Sequence, residues 1–177
     1  DKTQKEYQHD GQWRPVTMKI NEFRVKGESK TVQDTIRYTH HGPILYSEGQ
    51  TPFMGDLPVG HALTWIGPVA VGNSLKALYM INRAKNYDDY RAIMPYLASP
   101  AFNVVFASNQ NDVAITSAGH LPLKWKEQGK FVLDGTNPAH DWRDWIPDEQ
   151  NPYVKNPGRG YVSSANQFPT DPSYPYY

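Results

Sequence analysis

The sequence predicts an α+β fold that is rich in β-strands. Apolar residues recur in short runs separated by turn residues, a pattern typical of β-rich domains. Several runs alternate apolar and polar residues, which is the period of a strand with one buried face. Two other segments have the cap residues and apolar spacing of helices. With 177 residues, 38% of them hydrophobic, the chain suffices for one ordinary domain, or one domain and a small insert.

The first part of the chain predicts a β-hairpin. Residues 1–10 are polar and are expected to be frayed. Residues 13–25 and 32–38 both alternate apolar and polar side chains, and the turn residues 26–29 separate them. Two alternating runs joined by a short turn predict paired antiparallel strands.

An internal boundary is expected before residue 61. Residues 43–46 predict a short strand, and 47–60 are rich in Gly, Pro and acidic residues. We therefore predict a boundary between a β-rich first part over 1–60 and a second part over 61–177. The latter is expected to begin with a short apolar strand at 62–66.

Two helices are predicted next, each with its own cap. Ser74 is expected to cap the first, and its apolar face is expected to contain Leu75, Leu78 and Tyr79. Asn86 is expected to cap the second, where Asp88 and Asp89 suit the positive end of the helix dipole. Pro95 is expected to kink or end that helix.

The second half predicts one clear hairpin and a last strand. Residues 102–107 and 113–117 are strand-like and are joined by the polar residues 108–112. Residues 161–165 predict one further strand.

Composition excludes several classes of function. Lys and Arg balance Asp and Glu at 18 each, without a basic stripe, so nothing indicates nucleic-acid binding. The uncharged stretch 57–74 is broken by Gly and Pro and does not predict a membrane span. The absence of cysteine excludes disulfides and thiolate metal sites.

Six short motifs occur in order along nearly the whole chain, although no single one is specific. They are 37–44 (RYTHHGPI), 62–65 (ALTW), 84–90 (AKNYDDY), 103–107 (NVVFA), the Asp-Gly, Asp-Trp and Ile-Pro pairs of 134–147, and 156–167 (NPGRGYVSSANQ). Together they resemble the penicillin acylase (penicillin amidase) family of N-terminal-nucleophile hydrolases. The resemblance implies an αββα sandwich, of which this chain is an internal fragment from the β-chain region. It also implies that residues 1–60 are a small antiparallel β-rich insert and that residues 61–177 are part of the N-terminal-nucleophile hydrolase core.

The resemblance also implies a chemistry and a role for Asn166. In this family a Ser at an N-terminus freed by self-cleavage attacks the amide, and its own α-amine, with a pKa of about 7.7–8.0, acts as general base. By similarity, the Asn166 amide stabilises the oxyanion. The alternative from the residues alone is an Asn that ends a strand before Pro169. Phe102 aligns with a position lining the acyl pocket, and its alternative is core packing at a strand start.

No metal ligand is predicted in this chain, and no cofactor is expected for the chemistry. Neighbouring strand residues point to opposite faces, so His40 and His41 are not expected to bind one metal ion together. A structural role at the turn before Gly42 is expected instead. His140, Asp141 and Asp144 are expected to be a solvated loop cluster. Family members can carry a structural calcium ion, and only the carbonyl near Gly129 loosely matches its ligands.

The chain departs from the family pattern where the nucleophile would be. It begins at Asp1, which has no hydroxyl, so the nucleophile is expected upstream and the fragment alone is expected to be inactive. Gln167 and Phe168 differ from the commoner residues after the oxyanion Asn. The expected partners are a small acyl amide substrate and the remaining segments of the same precursor, without nucleic acid or membrane. By resemblance the parent is periplasmic or secreted.

A second class of function stays open from the sequence. Twelve Tyr and five Trp are compatible with a non-catalytic β-rich module that binds carbohydrate or protein through aromatic rings. The Trp residues, however, are scattered over loops and strand ends and form no single exposed face.

Overall fold

The computed structural model describes residue 3 and residues 5–45, 59–67 and 73–177. The chain forms two compact units: Asp1–Trp65 with Phe131–Asp141, and Ile66–Lys130 with Trp142–Tyr177. Most of the boundary segment predicted at 47–60 lies outside the described residues, and the division at residue 60 stays a prediction. Within the described ranges, no helix is both long and apolar enough to cross a lipid bilayer.

The first unit consists of short antiparallel strands. They are β1 (Glu6–His9), β2 (Gln12–Pro15), β3 (Thr17–Phe23), β4 (Val32–Thr39) and β5 (Gly42–Pro43). The hairpin predicted over 13–25 and 32–38 is confirmed, since β3 pairs with β4 from Thr17↔Tyr38 to Phe23↔Val32. A 3₁₀ turn over Pro138–His140 also belongs to this unit.

The prediction that residues 1–10 are frayed is wrong for β1. This strand pairs with β2 through a two-residue turn at Asp10 and Gly11, whose φ angles are 51° and 69°. Two positive φ angles are what the tight hairpin turn requires, and Asp-Gly is among its preferred sequences. The Asp-Gly pair is therefore the signal from which this hairpin could have been predicted.

The alternation of β3 predicted its pairing but not its burial. Met18 and Ile20 are 67% and 61% exposed, so the described residues do not cover the apolar side of this strand. The strand expected at 62–66 is reduced to one isolated bridge between Ile44 and Ala62.

The second unit contains two helices and a three-stranded sheet. Its elements are α1 (Ser74–Ile81), α2 (Tyr87–Ile93), β6 (Phe102–Ala107), β7 (Val113–Ala118), β8 (Pro122–Leu123), β9 (Asp144–Trp145) and β10 (Tyr153–Lys155), with 3₁₀ turns at Met94–Tyr96 and Asp148–Gln150. The sheet order is β10-β7-β6, and the predicted β6–β7 hairpin is confirmed. The strands and helices together confirm the α+β class.

The core of this unit lies between the helices and one face of the sheet. Alternate residues of β7 are buried, including Ala114 and Ala118, because side chains along a strand alternate between faces. These two pack in one cluster with Ala77 of α1 and with Tyr90 and Ile93 of α2. The Tyr90 hydroxyl donates to the Val104 carbonyl oxygen at 2.8 Å, which satisfies its polar end within the core.

Both predicted helices form, and the predicted cap residue is confirmed for α2 but not for α1. The Asn86 side chain accepts a hydrogen bond from the Asp89 backbone N–H at 2.8 Å, so the predicted cap of α2 is present. Pro95 lies in the 3₁₀ turn that follows α2, as expected of a residue that ends a helix. The cap position of α1 is Asn73 rather than Ser74. The predicted apolar face of α1 is not buried among the described residues, since Leu75, Leu78 and Tyr79 are 84%, 52% and 63% exposed.

Candidate functional site

The strand predicted at residues 161–165 does not form. This segment has no strand assignment, and it leads directly into a bend at Asn166. The backbone of Asn166 has φ 59°, in the left-handed region that Asn tolerates better than most side chains. Its side chain is exposed, and no hydrogen bond joins it to any residue that the structure describes.

Side chains on either side of Asn166 fix the bend. The Gln167 amide accepts a hydrogen bond from the Ala165 N–H at 2.5 Å and donates to the Ser163 carbonyl oxygen at 3.1 Å. Through Ser164, the segment is also tied to the sheet, because the Asn103 amide donates to the Ser164 hydroxyl at 2.9 Å. The Asn166 amide is thus carried on a braced turn while keeping its own donors uncommitted.

The start of the same motif is anchored by Asn156. Its side-chain oxygen accepts from the Val113 N–H at 2.8 Å, and its NH₂ donates to Asp112 at 2.7 Å. This hydrogen bond and the nearby Lys155 hold the pKa of Asp112 below its usual value, although desolvation opposes them. The segment leading to Asn166 is therefore attached to the sheet at both ends.

Phe102 is the first residue of β6, and its side chain is 47% exposed. Residues two apart on a strand share a face, so Phe102 lies on the side of Val104 and Phe106, which pack against the helical core. Asn103, which reaches Ser164, points to the other face. The acyl-pocket role of Phe102 stays a prediction.

A cluster of three histidines and an aspartate lies within the first unit. His9, His40, His41 and Asp141 each offer a ligand atom, and these atoms all lie within 4.8 Å of one another. The expectation that His40 and His41 point apart is wrong, because β4 ends at Thr39 and both histidines lie in the following turn. Their ring centroids are only 3.8 Å apart.

Asp141 occupies the middle of this cluster. Its Oδ2 is 3.3 Å from His9 Nε2, and its Oδ1 is 3.4 Å from His40 Nε2 and 3.5 Å from His41 Nδ1. The side chains are largely shielded, with 5% of His9, 17% of His41, 28% of His40 and 31% of Asp141 exposed. Asp141 was predicted to lie in a solvated loop cluster with His140 and Asp144, but it lies among the three histidines instead. His140 instead points to the Asp134 carbonyl oxygen at 2.9 Å.

The electrostatics of the cluster favour the neutral form of His40. Burial and the neighbouring imidazole of His41 hold the pKa of His40 below its ordinary value, with His9 adding to the effect and Asp141 opposing it. Neutral imidazole is the form that ligates metal ions. Asp141 is 132 residues from His9 and 101 residues from His40, and no sequence motif links the four.

The chain matches a family model over its whole length. Residues 1–177 match the model described as penicillin amidase. Two curated relatives are an acyl-homoserine lactone acylase of Pseudomonas fluorescens, 27% identical over 91% of this chain, and the penicillin G acylase of Escherichia coli, 26% identical over 92%. The chain spans only 19% and 18% of their lengths, about a fifth of each.

A solved structure shows the fold. The thermostable penicillin G acylase of Alcaligenes faecalis superimposes with a TM-score of 0.71 over all of this chain and 31% of its own, at 19% sequence identity. The strand-rich α+β architecture is therefore that of the N-terminal-nucleophile hydrolases, as the motifs predicted.

Proposed function

The chain belongs to the penicillin amidase family, and on that premise we propose that the complete protein hydrolyses linear amide bonds. The products are a carboxylic acid and an amine. The observation that carries the proposal is the family match over residues 1–177. The names of the relatives, acyl-homoserine lactone acylase and penicillin G acylase, agree with this reaction class.

The proposed reaction has two acyl-transfer steps. A hydroxyl at the N-terminus of a processed chain attacks the amide carbonyl, while the α-amine of the same residue takes the hydroxyl proton. The resulting oxyanion collapses, the C–N bond breaks, and the amine leaves with the proton. Water then attacks the acyl-enzyme in the same way and releases the acid. The nucleophile comes from another segment of the precursor, and the present chain alone is inactive.

Asn166 supplies an oxyanion donor in this proposal. A side-chain N–H aimed at the developing negative charge stabilises the transition state more than the substrate. Three features support the assignment: the Asn166 side chain is exposed, its amide is uncommitted among the described residues, and the bend is braced by Gln167. A turn-forming Asn would explain the left-handed backbone but not the position of Asn166 within the family motif.

The substrate is a small acyl amide, and the remaining segments of the precursor complete the pocket. Export to the periplasm or the exterior is part of the same proposal and is supported by the family alone. A structural calcium ion in the complete protein, if present, takes ligands from outside this chain apart from the carbonyl near Gly129.

Intact masses of the expressed complete precursor test the proposal. We expect two chains, the second beginning with Ser or another hydroxyl residue, and release of a primary amine from N-acyl-homoserine lactone or penicillin G. A single unprocessed chain that releases no amine from either substrate contradicts it. Processing without amine release would support the proposed self-cleavage but contradict the proposed substrates.

A further inference from the structure

We propose that His9, His40, His41 and Asp141 form a structural binding site for a divalent transition-metal ion, best matched by zinc. The site lies within the first unit and takes no part in the reaction proposed above. It joins the end of β1, the turn after β4 and the segment that ends at Asp141.

The hydrogen bonds around the cluster determine which ring nitrogens face its centre. The Gly135 carbonyl oxygen lies 3.1 Å from His9 Nδ1 and 2.9 Å from His41 Nε2. A carbonyl can only accept, so both nitrogens must carry the hydrogen. In the neutral rings, His9 Nε2 and His41 Nδ1 then have lone pairs directed at the Asp141 carboxylate. Lone pairs facing a carboxylate repel, so a cation must lie between them.

The distances favour a metal ion over a proton as that cation. Hydrogen bonds between a charged nitrogen and a carboxylate are about 2.7–2.9 Å long. The three separations from Asp141 to the histidines, 3.3, 3.4 and 3.5 Å, are all longer. They are close to the edge of a zinc tetrahedron, about 3.3–3.4 Å for bonds of 2.0–2.1 Å, and the four ligand atoms all lie within 4.8 Å of one another.

The surroundings have the form of an outer ligand shell. Metal-bound histidines commonly donate their second N–H to a backbone carbonyl or another polar group, which fixes the ring. Gly135 provides this acceptor for His9 and His41, and the Tyr7 hydroxyl lies 3.2 Å from His40 Nδ1. A Cβ at Gly135 would lie 3.1 Å from His41 Nε2, so glycine leaves room for this close contact.

The donor set selects the class of ion. Imidazole nitrogen suits zinc, copper, nickel and iron, whereas calcium and magnesium require oxygen ligands. Four protein ligands close a tetrahedral site and leave no open position for substrate, as in structural zinc sites. The low exposure of His9, at 5%, also suits a buried structural ion.

The test measures zinc in the complete protein, purified without an affinity tag and supplied with ZnSO₄ before dialysis. We expect the wild type to hold one more equivalent of zinc per protein molecule than Asp141→Asn or His9→Ala holds. Tyr7→Phe keeps the ring stacked on His40 but removes the hydroxyl, and we expect zinc affinity about 10–100-fold weaker. Co²⁺ substitution is expected to give the visible absorption of a tetrahedral site, lost in Asp141→Asn.

His120→Gln is the matched control, because His120 also faces a carboxylate, Asp148 at 3.9 Å, but belongs to no metal-binding group among the described residues. It is expected to keep the full zinc content. Equal melting temperatures of Asp141→Asn and the wild type in EDTA show that the variant is folded. Equal zinc content in the wild type, Asp141→Asn and His9→Ala overturns the proposal. So does wild-type stability that responds to pH but not to added zinc, because protons then neutralise the cluster.

Discussion

Replacement of Asn166 by Gly tests the proposed oxyanion donor without disturbing the turn. The backbone at this position has φ 59°, which Gly adopts at no steric cost, whereas Ala would add strain unrelated to catalysis. The substitution removes only an exposed side chain with no hydrogen-bond partner among the described residues. The turn itself is held by Gln167 and Ser164 and is expected to remain.

Loss of one oxyanion donor typically lowers kcat by about 10²–10³, which corresponds to about 2.7–4 kcal/mol. Because the donor acts on charge that develops in the transition state, kcat and kcat/KM are expected to fall together while KM changes little. Amine release by the processed complete protein, measured over a range of substrate concentrations, provides both constants. Asn166→Asp, which keeps the shape but removes the N–H donors, is expected to lose at least as much activity.

Asn111→Gly is the matched control for this experiment. Asn111 is also exposed and left-handed, with φ 64°, but lies in the loop between β6 and β7. Its replacement is expected to leave kcat unchanged. If Asn166→Gly is folded, processed and within about threefold of the wild-type kcat, Asn166 is not an oxyanion donor, since the expected loss is far larger.

Three further predictions concern stability, measured by urea denaturation. Gly42→Ala is expected to cost at least about 3 kcal/mol, because the new Cβ would lie 2.1 Å from the Leu63 carbonyl oxygen. Asn86→Ala is expected to cost about 1 kcal/mol, because α2 loses the cap bond to the Asp89 N–H. Burial raises the pKa of Asp148, so the folded state holds this proton more tightly than the unfolded state. The contribution of Asp148 to stability should therefore fall as pH rises from about 3.9 through the raised pKa, and Asp148→Asn should remove that fall.

The chain offers a control for each of the first two. Gly60 also has a positive φ, 83°, but no atom of the described residues lies within 4 Å of a Cβ built there, so Gly60→Ala should cost only the backbone strain of about 1–2 kcal/mol. Asn73 precedes α1 without a side-chain cap bond, and Asn73→Ala should cost less than Asn86→Ala. Equal losses of stability in Gly42→Ala and Gly60→Ala would refute the steric argument. Equal losses in Asn86→Ala and Asn73→Ala would refute the capping argument. If the stability of Asp148→Asn depends on pH as strongly as that of the wild type, the assignment of this pH dependence to Asp148 is refuted.

Local pattern was sufficient for the elements whose determinants are close in sequence. Alternation and turn residues predicted the β3–β4 and β6–β7 hairpins, because a hairpin register depends on neighbouring residues and a short connection. Asn86 was predicted as a cap for the same reason, since its partner is three residues away. The ordered motifs predicted the family and fold, both now confirmed.

Burial was predicted less well than pairing. The apolar faces expected on α1 and β3 are exposed, since burial depends on which other segments cover a face and not on the pattern of that face alone. The strand expected at 161–165 is absent for a related reason. Strand-like residues form a strand only beside a hydrogen-bonding neighbour, and the segment meets the sheet through side chains of Asn103 and Ser164.

The sequence by itself determined the family, the strand-rich α+β class and the two principal hairpins, because each depends on local pattern or on motif order. Only the tertiary structure decided that His9, His40, His41 and Asp141 meet. Their approach depends on where β4 ends and on contacts between segments more than a hundred residues apart. Alternation along one strand predicted that His40 and His41 diverge, whereas the turn after Thr39 directs both rings toward Asp141.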